Sequence, residues 1–334
     1  MKIAFFSLTN EGENLAKKIS SQLGGDLYNK DNFKENVQSS WNQYDSLVFI
    51  MATGIVVRVI ASLLEHKAKD PAVIVIDQKG KHVISLLSGH LGGANEIARN
   101  IAKVISATPV ITTATDITNT IAFDLFAKEN NSVIENIEDL KYISADLIEG
   151  KVVDFITEYQ VEGLKATDNI NTLVDNSTYN SQNNKVVFDI GKKFQSENHV
   201  LYIRPKSVVL GVGCKKNIST EEMLLAVEDF LEKNQVSPLS IGTIATIALK
   251  EKEIAINTLC EKYKADLYIA DYEEIETINY EIETSEFVKS VTGVGSVAEA
   301  SAYIASNKGK ILKGKTKYKG ITLALAMKSI IYKF

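Results

Sequence analysis

The sequence predicts an α/β protein in three parts: a parallel α/β domain over residues 1–128, a small α+β insert over 129–205 and a second α/β domain over 206–334. Three observations lead there. Short, nearly all-apolar runs at 46–51, 72–76 and 83–87 read as central strands covered on both faces, and segments of helical period alternate with them. At 334 residues the chain exceeds what one ordinary core organises. The text between the two α/β parts differs in kind, with an Asn-rich stretch at 169–184 and Pro205 at its end.

In the first part, 2–7 reads as a buried strand and 11–23 as a helix carrying Leu15, Ile19 and Leu23 on one face. The run 46–51 ends in Ala52-Thr53-Gly54, and 55–64 reads as a helix bearing Arg58. Strand 72–76 closes with Asp77-Gln78-Lys79-Gly80, a turn signal. Strand 83–87 runs into Ser88-Gly89-His90-Leu91-Gly92-Gly93-Ala94-Asn95-Glu96 and then a helix over 97–105. Strand 109–111 leads to Thr112-Thr113-Ala114-Thr115-Asp116. Ligands of parallel α/β sheets gather at the carboxyl ends of the strands. The expectation is therefore that Thr53-Gly54, Ser88-Gly89-His90 and the residues from Thr112 to Asp116 meet on one rim.

The insert reads as a helix at 137–148 with strands at 152–156, 185–190 and 200–203. In the last part, strand 207–210 ends in Gly211-Val212-Gly213-Cys214-Lys215-Lys216-Asn217. Ser219-Thr220-Glu221-Glu222 has the form of a capping box ahead of a helix over 223–231. Strand 241–247, helix 251–263, strand 265–269 and a helix-like 286–290 follow. A second glycine turn, Val291-Thr292-Gly293-Val294-Gly295-Ser296, opens a helix over 297–305 that carries Glu299, and strands at 311–312 and 321–326 complete the part.

Composition narrows the function. The hydrophobic share of 45% and charged share of 24% are those of a soluble globular protein, and no apolar run is long enough to span a bilayer. The start lacks the basic flank of a signal peptide, and Cys214 and Cys260 make no disulfide framework, which points to the cytoplasm. Four scattered histidines leave no zinc-site spacing. A net charge of −5 argues against nucleic acid, yet Lys308, Lys310, Lys313, Lys315, Lys317 and Lys319 crowd one short stretch. Alternation along a strand puts several of these ammonium groups on one face, where they either grip an anion or protect a solvated edge.

A strand, a glycine-rich turn and a helix together aim backbone N–H groups at an anion or carbonyl oxygen. His90 in such a turn is either a general base or a brace for the turn. Glu96 at the helix start is a dipole partner or an acid/base group, and Arg58 a carboxylate clamp or a solvated charge. Cys214 reads as packing, although Lys215 and Lys216 beside it are placed to lower its pKa. A nucleotide reading finds little support. Gly211-Val212-Gly213 lacks the third glycine, Gly293-Val294-Gly295 lacks an acidic ribose partner, and no P-loop is present.

Together these stretches resemble the cobalt-precorrin-5A hydrolase family of anaerobic cobalamin synthesis. Met51 to Arg58, Ser88 to Ala98 and Thr112 to Asp116 resemble its N-terminal half. Gly211 to Lys216, Gly293 to Ala300 and Lys319 to Ala326 resemble its C-terminal signatures. The resemblance implies an enzyme that opens the δ-lactone of a cobalt-bearing macrocycle and releases acetaldehyde, giving cobalt-precorrin-5B. It implies His90 as base with Glu96 beside it, and the Gly89, Gly92 and Gly93 amides as oxyanion donors. Arg58, Lys215 and the lysine strand would clamp the acidic side arms. Thr53, Gly54, Ser88, Asn95, Thr113, Asp116, Gly211, Gly213, Gly293, Gly295, Ser296 and Glu299 would complete the substrate site. The cobalt arrives with the anionic tetrapyrrole substrate, so no protein metal or cofactor is expected. Other enzymes of the pathway are expected partners, and a homodimer stays open. Two alternatives stand: a tetrapyrrole carrier without catalysis, for which His90 is dispensable, and a nucleotide-dependent enzyme built on Gly293-Val294-Gly295.

Overall fold

A computed structural model describes residues 1–66, 69–90, 92–113, 120–165, 168–174, 182–191, 199–277 and 297–334. The chain forms two compact units, Met1–Leu125 and Phe126–Phe334.

The first unit is a six-stranded sheet. Its strands are β1 (Ile3–Ser7), β2 (Asp26–Tyr28), β3 (Ser46–Ile50), β4 (Ala72–Ile76), β5 (His82–Leu87) and β6 (Thr108–Val110), in the order β2-β1-β3-β4-β5-β6. Strands β1, β3 and β4 are buried at every residue, as their unbroken apolar runs require. One face packs helices α1 (Asn10–Leu23) and α4 (Ala94–Ile105), through Ile3, Phe5, Ala16, Ile19, Ile97 and Ile101. The other packs α2 (Phe33–Ser40) and α3 (Thr53–Ile60), through Phe6, Val37, Phe49, Val56 and Ile60. Helix α1 starts on Thr9, whose hydroxyl accepts the Gly12 N–H at 3.1 Å, and stops at Gly24, where φ is 74°.

The sheet is not wholly parallel, and this corrects the expectation of a single rim. β1 to β4 run one way, but β4 and β5 pair antiparallel, with Val73 opposite Leu87, and β6 runs with β5. The reversal is local chemistry. The Asp77 carboxylate accepts the N–H groups of Lys79, Lys81 and His82 at 2.9, 2.9 and 2.6 Å, and Gly80 takes φ 65°. The turn signal at 77–80 thus closes a hairpin instead of opening a crossover.

The second unit holds two larger sheets. The first contains β7 (Ser132–Ile134), β8 (Val153–Ile156), β10 (Ile170–Leu173), β11 (Lys185–Phe188) and β12 (Val200–Pro205), in the order β10-β8-β11-β12-β7, all parallel except β7. Helices α5 (Phe123–Glu129) and α6 (Leu140–Ile148) lie at its start. Phe126, Phe155, Phe188 and Phe334 form an aromatic cluster against it. The Asn-rich stretch contributes edge strand β10 before residues 175–181, which lie outside the described residues. Tail strand β18 (Tyr332–Lys333) pairs with β9 (Val161–Glu162).

The second sheet orders β15 (Asp266–Ala270), β14 (Ile241–Ile247), β13 (Val208–Cys214), β17 (Ile321–Met327) and β16 (Lys310–Tyr318) side by side. The first three are parallel, and β17 and β16 form an antiparallel edge. Helices α7 (Thr220–Lys233) and α8 (Ile254–Tyr263) cover one face through Met223, Val227, Phe230, Ile256 and Leu259. The short helix α9 (Tyr272–Thr277) follows β15, and α10 (Val297–Ala305) covers the other face through Ala298, Ala302 and Ala305.

Candidate functional site

In the first unit the Ser88–Gly93 loop is built to hold one shape. Ser88 sits at φ 56°, and its hydroxyl donates to the carbonyl of Asp70 at 2.9 Å, at the amino end of β4. The loop caps its own helix with carbonyls: Ala94 N–H to Ser88 (3.2 Å), Asn95 N–H to Gly89 (3.1 Å) and Gly93 N–H to His90 (2.9 Å). Asn95 is buried at 4% exposure and donates from Nδ2 to the Thr113 hydroxyl at 3.1 Å, tying the loop to the segment after β6. Gly89 is required here, since a Cβ would meet Asn95 Oδ1 at 2.8 Å and Thr113 Oγ1 at 3.1 Å. His90 is half-buried and Glu96 is exposed in the first turn of α4. The Gly93 N–H is engaged, whereas no acceptor among the described residues is seen for the N–H groups of Gly89 and Gly92. Two donors and an imidazole on one bend can polarise an ester carbonyl and take a proton from water.

In the second unit, a rim forms at the carboxyl ends of β13 and β14. Lys215 N–H donates to the Gly320 carbonyl at 2.9 Å, joining the turn after β13 to the β16–β17 hairpin. Lys215, Lys216, Lys317 and Lys319 are exposed there. Below them, Lys250 Nζ donates to Glu253 Oε1 at 3.2 Å, and Glu253 Oε2 accepts the Asn217 N–H at 3.0 Å. Helix α10 starts at this rim, with Val297 against Ile247.

Family models match nearly the whole chain in order. Residues 35–116 match the cobalamin synthesis G N-terminal model, 121–206 the cobalamin biosynthesis central region and 208–326 the cobalamin synthesis G C-terminus. A protein of Priestia megaterium named cobalt-precorrin-5A hydrolase is 34% identical over 304 residues, covering 86% of this chain and 80% of the relative. The chain belongs to the cobalt-precorrin-5A hydrolase family. A Salmonella typhimurium relative of the same name is 29% identical over 351 residues, with 97% of each chain covered. A crystal structure of a cobalamin biosynthesis protein G homolog from Sulfolobus solfataricus has 24% identity and a TM-score of 0.41, and covers 98% of this chain and 97% of its own.

Within this member of the family, Ser88, Gly89, His90, Gly92, Gly93, Asn95, Glu96 and Thr113 come together at one end of the first sheet. Thr53, Gly54 and Arg58 do not join them. They follow β3, whose carboxyl end lies at the opposite edge from that of β5, because β5 is reversed. The Arg58 guanidinium turns back onto its own helix, with Nη1 donating to the Gly54 carbonyl at 3.0 Å. Asp116, Gly293, Gly295 and Ser296 lie outside the described residues, as does the helix-like 286–290.

Two readings in the second unit change, and that of Cys214 as packing stands. Gly211 lies inside β13 and not in a turn, and a Cβ there would meet the Ala298 carbonyl carbon at 2.8 Å, so it serves helix packing rather than a ligand. Glu299 is 6% exposed, and its Oε2 accepts the Lys315 N–H at 2.8 Å, bracing an irregularity in β16. Burial pushes the Cys214 thiol up to about 11, against the pull of Lys250, so its lysine neighbours do not activate it. Gly213 borders Val297 at ordinary contact distance, and Lys215 stays exposed on the rim. Lys250 and Glu253 escaped the sequence reading because a Lys-x-x-Glu spacing looks the same whether solvated or buried.

No helix among the described residues is long and apolar enough to cross a membrane.

Proposed function

We propose that this protein is a hydrolase of the cobalamin pathway that opens the δ-lactone of cobalt-precorrin-5A and releases acetaldehyde, leaving cobalt-precorrin-5B. The observation that carries this is the likeness, over most of both chains, to relatives of that name. His90 takes the proton from the attacking water as its oxygen bonds to the lactone carbonyl, and the acyl C–O bond then breaks. The freed alcohol leaves as acetaldehyde when its C–C bond to the ring breaks, the electron pair staying on the macrocycle and taking up a proton. The Gly89 and Gly92 N–H groups receive the oxyanion that develops on the lactone carbonyl. The Asn95–Thr113 bond holds the loop in register for both tasks. The substrate is an anionic cobalt macrocycle, and the exposed Lys215, Lys216, Lys317 and Lys319 of the second unit form a cationic rim whose chemistry suits acidic arms. Both cysteines are free thiols, which supports a place in the cytoplasm.

The test is incubation of pure protein with the lactone-bearing cobalt intermediate while aldehyde is trapped. Wild type releases acetaldehyde above the buffer control, and His90→Ala slows release by ~100-fold or more, the usual scale of a general base. No aldehyde from wild type removes the hydrolase reading. An undiminished rate in His90→Ala removes the base.

A further inference from the structure

We infer that Lys250 and Glu253 are positioning residues: they hold the turn that presents Lys215 and Lys216 to the carboxylates of the substrate. This rests on the lysine clamp proposed above. Lys250 ends a short 3-10 turn after β14, and Glu253 stands just before α8. Both side chains are 11% exposed. A buried ion pair has no stability advantage over hydrocarbon of the same shape, because desolvation offsets the attraction. What hydrocarbon cannot do is hold a backbone amide. Glu253 makes no side-chain bond to its own helix; Oε1 takes Lys250 and Oε2 takes the Asn217 N–H.

Asn217 sits at φ 57°, a left-handed conformation that Asn tolerates better than most residues, and its N–H is the group that Glu253 holds. The turn is therefore pinned on two sides, by Glu253 at Asn217 and by the Gly320 carbonyl at Lys215. Between the pins, Lys215 and Lys216 are exposed, and Lys319 is exposed beside the second pin. The stem of Lys215 lies along Gly320, where a Cβ would come within 3.2 Å of Lys215 Cδ. Like charges gathered on two joined segments repel one another until an anion comes between them, so the matching ligand class is a polycarboxylate.

The experiment uses the full chain and two porphyrin probes, uroporphyrin and coproporphyrin, the first carrying twice the carboxylates of the second. Binding is read by porphyrin fluorescence at low and raised salt. Wild type prefers uroporphyrin and loses affinity as salt rises. K250M/E253L replaces the pair with apolar groups, keeps the melting temperature and weakens uroporphyrin binding ~10-fold, the order expected when a bond to a charged acceptor is lost. E253Q keeps an acceptor oxygen for Asn217 and retains most of the affinity.

Wild-type binding by K250M/E253L overturns the positioning role while leaving the clamp in place. A wild type with neither preference nor salt dependence overturns the clamp itself. Should K250M/E253L fail to fold, E253A decides: it weakens uroporphyrin binding at least as much as K216A does, and unchanged binding overturns the inference.

Discussion

The sharpest consequence of the structure concerns Gly211. Replacing it with alanine places a Cβ 2.8 Å from the Ala298 carbonyl carbon, 2.9 Å from Ala302 Cβ and closer still to the Ala298 carbonyl oxygen. Ordinary contact needs 3.4 Å or more, so the Ala298 oxygen, the nearest obstacle, requires α10 to recede from β13 by roughly 1.6 Å. Nothing at this interface can fold out of the way. Its buried part consists of Val209, Ala245, Ala298, Ala302, Ala305, Ala324 and Ala326, with Tyr268 and Ile311 packed against it, and the obstacle is backbone. Overpacking of this kind costs about 1–3 kcal/mol, and Gly211→Ala falls at the upper end, near 3 kcal/mol. Two residues on, Gly213→Ala meets Val297 Cβ at 3.6 Å and Thr322 Cβ at 3.8 Å, both ordinary contacts. That change is neutral or stabilises by about 0.5 kcal/mol, because alanine has less freedom to lose from the unfolded chain. Urea unfolding followed by far-ultraviolet circular dichroism reads the difference. The lone tryptophan, Trp41, lies in the other unit and is the wrong probe. Equal losses in the two variants, or a loss under about 0.5 kcal/mol in Gly211→Ala, would refute the packing argument and return Gly211 to the list of ligand-facing residues.

Three further outcomes are expected. Arg204 is fully buried and donates from Nε to Glu135 at 2.6 Å and from Nη1 to the Asp189 carbonyl at 3.0 Å; Glu135→Ala removes a carboxylate bonded to this buried charge and lowers unfolding free energy by about 3 kcal/mol in the same assay. Cys214, with its thiol pushed up to about 11, is alkylated slowly by iodoacetamide at neutral pH and faster as pH rises toward that value, a profile read by mass spectrometry; a plateau already reached by pH 8 contradicts the burial argument. Ser88→Ala keeps the positive φ but loses the bond to Asp70, costing about 1–2 kcal/mol, whereas Ser88→Gly relieves the backbone and costs less, so a reversed order in thermal melts speaks against this account of the loop.

Much of the architecture was legible. Strands 46–50 and 72–76 and helix 297–305 can be read from the sequence because burial on both faces of the strands leaves nearly continuous apolar runs, and α10 packs through alanines at helical spacing. What could not be read is direction. Alternation and hydrophobicity are the same for a strand run either way, so the reversal of β5 was visible only through the Asp77–Gly80 turn, whose meaning depends on the absence of a helix after it. Strand β16 was seen only at 311–312, because an edge strand with exposed Lys310, Lys313 and Lys317 has no continuous apolar signal. Gly211 was misread for a related reason. Glycine next to an apolar run signals close approach of some backbone or ligand, and the sequence does not say which.

The corrected topology also redistributes the proposed work. Arg58 lies at the far edge of its sheet with its guanidinium held by Gly54, so it is not among the groups gathered around the His90 loop. In the proposed reading the loop's task is to polarise the ester and move a proton, and the lysine rim of the second unit is taken by itself as an anion grip. The two tasks are therefore separable by mutation. His90→Ala should slow aldehyde release by ~100-fold or more while leaving uroporphyrin affinity and its salt dependence at the wild-type level. Lys215→Ala combined with Lys319→Ala should raise KM and flatten the salt dependence with kcat changed less than about twofold, the signature of lost uniform binding. If instead both variants lower kcat and affinity together, gripping and chemistry share the same side chains, and the division of labour argued from the strand directions is wrong.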